Sequence, residues 1–379
     1  MSLRTDIVVT TIWEPAWLQS YLDNLQQHGR ESSVTLRIIG DRKTPATVWQ
    51  CAQEARHRGF QIDCPTLDEQ VACLKSAGLP DDFVPWNTDN RRNIGFLRAW
   101  QHGADVLISI DDDNYCLADA DFVGAHAWVG SAAGQADGTL IAHGAPWFNL
   151  CSRLAGNCAA TIYPRGFPYA ARAGTQALLR PLQPDEAQRT IAINAGLWLD
   201  DPDVDAITRL ALRPVMNSAA SGRVVLDSGT WSPINTQNTA LMRAAIPAYY
   251  YVPMGYSLQG MKIDRFGDIL SGYFVQKCAK HLGHAVGIGP PVARHARTPH
   301  NLLLDLYNEL AGIALVEDLL PWLQDLRLSG TNYPQAYAAL AEALASEADR
   351  FRGFVWDQGG RDFLRATARS MNTWLSVVR

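Results

Sequence analysis

The chain has 379 residues, 47% of them hydrophobic, and a formal net charge of −5 at neutral pH. That length suits one large domain with an appendage, or two domains, around a substantial apolar core. Because the chain is net acidic and its Lys and Arg residues form no polybasic block, nucleic-acid binding through a basic surface is not expected.

In chain order, the apolar, β-branched run at residues 7–12 predicts a first strand, followed by a loop at Trp13-Glu14-Pro15. Residues 17–27 predict a helix with Leu18, Tyr21, Leu22 and Leu25 on one face, and residues 34–39 a second strand ending at Gly40-Asp41. A strand-helix-strand opening predicts a parallel sheet that binds ligands at the carboxyl ends of its strands, where Thr10, Thr11 and Asp41 stand. Helices at 46–58 and 66–78 flank a short strand beginning at Gln61-Ile62.

Residues 90–100 read as a loop entering an amphipathic helix that stops at His102-Gly103. Arg91 and Arg92 stand at its start, where the helix dipole disfavours cations, so binding an anion such as a diphosphate is one reason for them. The strand at 106–110 then runs into Asp111-Asp112-Asp113. Three neighbouring acids repel one another in a partly desolvated site, and a divalent cation such as Mg²⁺ or Mn²⁺, or a ring of donors, would neutralise them. An Asp-rich turn into Asn114-Tyr115 is the alternative.

Residues 141–245 are rich in Gly, Pro, Asn and Trp and weakly periodic, which predicts loops and short strands lining a cleft. Within them, Tyr163-Pro164-Arg165-Gly166-Phe167-Pro168-Tyr169 fits either a sugar-stacking floor with an anion-binding arm or a cross-packed turn. Asp268 precedes an amphipathic helix at 271–282, as a helix cap or as a general base or acceptor-positioning carboxylate. His295 ends a short strand at 292–295, as a structural residue or a metal ligand. Residues 300–379 read as helical, with Leu319, Leu320, Trp322 and Leu323 on one face, and such apolar helices are compatible with homo-oligomers.

Seven cysteines, with no CxxC pair and no Cys/His cluster, argue against zinc and against a disulfide framework. Reduced thiols, no apolar run of about eighteen residues and no signal-peptide core before the first strand predict a cytoplasmic protein without an integral membrane segment.

An arginine-bearing helix, a buried strand and a carboxylate cluster resemble the nucleotide-sugar site of GT-A glycosyltransferases. Further motifs resemble, in order, the reversibly glycosylated polypeptide family, which includes the UDP-arabinopyranose mutases of plants. They are Asp6-Ile7-Val8-Val9, Ile110-Asp111-Asp112-Asp113, Arg165-Gly166-Phe167-Pro168 and Gly196-Leu197-Trp198-Leu199 with Pro202-Asp203. Arg265-Phe266-Gly267-Asp268, Leu282-Gly283 before His295, and Glu317-Asp318 with Leu320-Pro321 follow. The resemblance spans about residues 6–325. It implies an α/β, GT-A-like fold with a mainly parallel central sheet, flanking helices and a C-terminal helical region. It also implies a UDP-sugar, a divalent metal at the three acids and self-glycosylation on an arginine that matches Arg165. The chain departs from the family at Gly267, where an acid is expected, at Asn114-Tyr115, and through residues 217–243.

The expectation is therefore a catalytic domain at 1–299 with a helical extension at 300–379, acting as a metal-dependent glycosyltransferase on a nucleotide-sugar donor and an unknown acceptor. Thr10, Thr11 and Asp41 would contact the nucleotide, Arg91 or Arg92 the diphosphate, and Asp111 and Asp112 the ribose. Asp111, Asp113 and His295 would hold Mn²⁺ or Mg²⁺, and Asp268 would serve as base or acceptor anchor. A UDP-sugar mutase working through Arg165, and a silent nucleotide-sugar-binding subunit, are the alternatives.

Overall fold

The computed structural model describes residues 3–298 and 300–379. Met1 and Ser2, at the expected entry to the first strand, and Pro299, at the expected domain boundary, lie outside the described residues. The chain opens with alternating strands and helices: β1 (Thr5–Thr11), α1 (Leu18–Gln27), β2 (Val34–Gly40), α2 (Ala46–His57), β3 (Gln61–Asp63) and α3 (Leu67–Ser76). Then come α4 (Arg92–His102), β4 (Val106–Asp111), β5 (Ile191–Asp200), β6 (Asn238–Met242), α5 (Gly267–His281) and β7 (Ala285–His295). The C-terminal region is helical, with α6 (Leu302–Asp325), α7 (Tyr333–Ser346) and α8 (Arg361–Leu375) as its main elements.

These seven strands lie in the order β3-β2-β1-β4-β6-β5-β7, and all but β6 point the same way. This is the expected mainly parallel central sheet with helices on its flanks. Beyond β7 the sheet continues through Val224–Leu226, Leu140–His143 and Leu178–Pro181. Both faces are covered, which explains why β1 reads as an unbroken apolar run: Val8 joins one core cluster, Ile7 and Val9 the other. Local signals fix the helix ends. Thr66 and Glu69 form a reciprocal capping box at the start of α3, and Gly103 ends α4 at φ 81°.

Three expectations change. Residues 141–245 contain two strands of the central sheet, β5 and β6, and not only cleft-lining loops and short strands. The short strand expected at 292–295 is the end of the eleven-residue β7. The helix expected at 271–282 begins at Gly267, which puts Asp268 in its first turn.

The C-terminal helices share the core of the sheet domain: Leu315, Leu340, Leu364 and Trp374 belong to the same cluster as Val8 and Leu107. Trp374 donates from its Nε1 to the Pro247 carbonyl at 3.1 Å. Among the described residues, no helix is long and apolar enough to cross a membrane.

Candidate functional site

Strand direction assembles the site. The carboxyl ends of β1, β2, β4 and β7 and the amino end of the reversed β6 meet at one edge of the sheet. Thr10 pairs in register with Asp111, and Ile110 with Asn238. After the acids the chain turns into a short strand, Asn114–Cys116, antiparallel to β7 with Asn114 opposite His295. That register brings Asp113 to His295 across 182 residues of sequence, with Oδ2 and Nε2 3.1 Å apart. A cavity of about 290 Å³ opens there, and its walls take in every expected site residue: Thr10, Thr11, Asp41, Arg91, Arg92, Asp111 to Asp113, Arg165, Asp268 and His295.

The two arginines at the start of α4, Arg91 just before it and Arg92 as its first residue, turn inward. Arg92 is 3% exposed; its Nη1 donates to Ser109 Oγ (2.7 Å), the Ile110 carbonyl (3.0 Å) and the Thr236 carbonyl (2.9 Å). Its Nη2 donates to Thr10 Oγ1 (3.1 Å) and Asp111 Oδ1 (2.6 Å). Against the pull of burial, the Asp111 carboxylate holds this guanidinium above its ordinary value. Arg91 donates to the Val84 carbonyl and to Gln70 Oε1 and stacks 3.7 Å over the Trp86 ring; burial lowers its pKa to about 10. Asp41 accepts from the backbone N–H groups of Arg42 and Asn87, both at 2.6 Å, and so ties two loops at the cavity wall.

The acids differ sharply. Burial, with the Asp113 charge adding to it, raises Asp111 to about 6. Burial raises Asp112 to about 7. Burial pushes Asp113 up as well, but the hydrogen bond and charge of His295 outweigh it, and its carboxyl lies below the ordinary value. Burial would lower the imidazole, and Asp113 in turn raises it. His295 Nδ1 donates to the Asp201 carbonyl at 2.5 Å, which leaves Nε2 facing the acids. The expected three ligands do not close into a set: Asp111 Oδ1 is taken by Arg92, and among the described residues no group of three His, Cys, Asp or Glu side chains is arranged to hold a metal. Asp113 and His295 are a pair, with two further carboxylates beside them that burial disfavours as anions. A carboxylate, an imidazole with its tautomer fixed from behind, and surplus negative charge are a donor set that fits Mn²⁺ or Mg²⁺ with ligand oxygens completing the shell.

Across the cavity Arg165 commits all five of its N–H groups. Nε and Nη2 donate to the two Asp203 oxygens (3.0 and 3.1 Å), and Nη1 and Nη2 to the two Asp268 oxygens (3.1 and 2.6 Å). The remaining N–H of Nη1 goes to the Arg265 carbonyl. Despite burial, the two carboxylates hold Arg165 well above its ordinary value, and Asp203, though buried, lies well below its own. The neighbouring aromatics are a cross-packed turn: Phe167 lies 4.9 Å from Tyr163 and 5.5 Å from Trp147, ring centre to ring centre, and is 1% exposed. Gly267, the first residue of α5, has a steric reason to stand where an acid is expected, since a Cβ there would lie 2.2 Å from the Val252 carbonyl oxygen.

Sequence reasoning gave no role to Asp89, Asp203, Gln237, Arg265 or Arg297, all of which line the cavity. Asp203 and Arg265 lie in family motifs, and Asp89 stands just before Asn90 and Arg91; nothing local marks Gln237 or Arg297.

Among relatives, a protein of Arabidopsis thaliana described as probable UDP-arabinopyranose mutase 4 is 32% identical over 171 residues, 45% of this chain and 42% of that one. UDP-arabinopyranose mutase 1 of the same plant is 30% identical over 184 residues, 48% and 46% of the two chains. The chain thus spans less than half the length of these curated relatives. Among solved structures, glucosyl-3-phosphoglycerate synthase from Mycobacterium tuberculosis, in complex with Mn²⁺, UDP and glucosyl-3-phosphoglycerate, aligns at 13% identity and a TM-score of 0.42. That alignment covers 87% of this chain and 82% of that one. The family model described as reversibly glycosylated polypeptide matches residues 4–377, nearly the whole chain, and the chain belongs to that family.

Proposed function

We propose that this chain is a nucleotide-sugar enzyme that breaks the anomeric bond of a UDP-sugar and passes the glycosyl group to a separate acceptor. The observation that carries the second half is Arg165, whose five N–H groups are all engaged by two carboxylates and a carbonyl. A guanidinium becomes a nucleophile only by losing a proton, and this environment opposes that loss. Arg165 then acts as a fixed cation that aims Asp268 into the cavity.

Asp113 and His295 would hold the divalent ion, which supplies charge stabilisation to the departing diphosphate. Arg92 fixes the Asp111 carboxylate and the ends of β1 and β4, so the nucleotide side is set before substrate arrives. Thr11 and Asp41 border the uridine end. Asp268 keeps lone pairs beyond those that Arg165 occupies, and these receive or orient an incoming acceptor hydroxyl.

A second reading, a UDP-sugar mutase with a transient glycosyl group on Arg165, is favoured by family membership and by the names of the relatives. It requires Arg165 to release a carboxylate and a proton. Incubation of wild type and Arg165→Ala with labelled UDP-sugars and Mn²⁺, followed by intact mass, separates the two. The transferase reading predicts no sugar increment on either protein, with UDP released by wild type only when a candidate acceptor is added to receive the sugar. A pentose or hexose increment on wild type that Arg165→Ala lacks establishes the mutase reading.

A further inference from the structure

Three groups engage the Arg165 guanidinium, and they lie on two segments of chain. Asp203 stands just ahead of the short helix Ala206–Leu212. The Arg265 carbonyl and Asp268 belong to the turn into α5 and its first turn. A single carboxylate on α6 ties both segments. Glu309 Oε2 accepts from the Ala206 backbone N–H at 2.7 Å, and its Oε1 accepts from Arg265 Nε at 3.1 Å. Asp305, one turn earlier on α6, lies 3.5 Å from the same Arg265 guanidinium. Gly312 permits the close approach of α6, since a Cβ there would stand 2.4 Å from the Phe266 ring.

Glu309 is 1% exposed, so α6 buries a charge where an apolar side chain of like size would carry no such desolvation cost. Arg265 supplies a reason. Its φ of 53° is a left-handed backbone, which a residue other than glycine keeps only where its surroundings enforce it. The carbonyl of that same residue accepts from Arg165 Nη1, and the grip of Glu309 on the Arg265 side chain enforces the conformation. Without the grip Arg265 relaxes and Arg165 loses an acceptor. Asp268, fixed by two hydrogen bonds from Arg165, then loses its seat.

We propose that Glu309 is a positioning residue for the acceptor side of the cavity: from the C-terminal helical region it holds both segments that lock Arg165, and through Arg165 it places Asp268. The inference rests on the nucleotide-sugar reading above for what that side receives, and its test separates the two. ¹⁵N NMR of arginine-labelled protein follows water exchange of the Arg165 guanidinium protons, identified by their loss in Arg165→Lys. Wild type, Glu309→Gln and Arg265→Ala are compared. Gln keeps the size of Glu309 but offers one acceptor oxygen to two donors, and Arg265→Ala keeps the carbonyl while removing its anchor. Exchange is expected to quicken by about tenfold in both variants, the loss of roughly one hydrogen bond. UDP affinity of Glu309→Gln with Mn²⁺, measured by calorimetry, is expected to stay within about twofold of wild type. Unchanged Arg165 exchange in either variant that folds overturns the proposal. So does UDP affinity that falls as steeply as Arg165 loosens, because that marks a general loss of structure. A wild type that binds no UDP rejects the nucleotide-sugar reading instead, and the Arg165 exchange rates still decide whether Glu309 holds the lock.

Discussion

Arg92 shows how one side chain can look like a ligand site in sequence and serve as a keystone in the fold. A cation at a helix start signals a bound anion, and the anion it meets is Asp111 of the same chain. Its other acceptors, Thr10, Ser109, Ile110 and Thr236, lie up to 144 residues away, beyond the reach of any local pattern. Replacing Arg92 with Met leaves Asp111 without its cation and three buried acceptors unsatisfied. That is expected to cost about 1–3 kcal/mol, mostly from the unsatisfied buried acceptors, because water reaches Asp111 and discounts its share. Urea unfolding measures it, and a loss below about 1 kcal/mol would mean that the guanidinium is not the keystone. The three acids stood out as clustered charge at a strand end, and His295 only as a histidine closing a strand; the fold brings all four to one cavity. The Arg165–Asp203–Asp268 cluster was not legible, since ion pairing is a property of the tertiary fold.

At the scale of elements, the first four strands and their helices were legible because a buried parallel strand is an apolar run and its helices are amphipathic. β5 was obscured by Asn194 and Gly196, which read as strand breakers. Both are demanded by tertiary contacts: a Cβ at Gly196 would stand 2.2 Å from Asn238 Nδ2 and 2.6 Å from the Pro291 carbonyl oxygen. Asn194 donates to the Pro290 carbonyl at 2.9 Å and meets His126 Nδ1 at 3.2 Å. His126 Nε2 meets Asn238 Oδ1 at 2.9 Å, so one neutral imidazole, donating from Nε2 and accepting at Nδ1, bridges β5 and β6. Burial lowers this imidazole to about 3 from an ordinary 6.5. Below pH 6.5 the unfolded chain takes up a proton that the folded chain refuses until about pH 3. Stability from this group is therefore complete above 6.5 and falls as the pH drops, by at most about 1.4 kcal/mol per pH unit. Unfolding free energies at pH 7 and pH 5 should fall more for wild type than for His126→Gln. Equal losses would show that His126 does not carry the acid sensitivity.

Across the whole molecule, the site is a product of chain return. β4 delivers the acids, and β7 brings back His295 only after the long excursion through β5, β6 and α5. The C-terminal helices then close the same core over the sheet, as Trp374 against Pro247 and Tyr250 shows. Composition marked those helices as helical and apolar but said nothing of which surface they cover. On the proposed function, this edge of the sheet would bind the diphosphate of a nucleotide through a divalent ion held by Asp113 and His295. Calorimetric titration of UDP into wild type and Asp113→Asn, each with and without Mn²⁺, tests it most directly. Wild type should bind UDP about tenfold or more tightly with Mn²⁺ than without, and Asp113→Asn should lose that dependence. UDP binding that is absent from wild type, or that is the same with and without the metal, would contradict the claim.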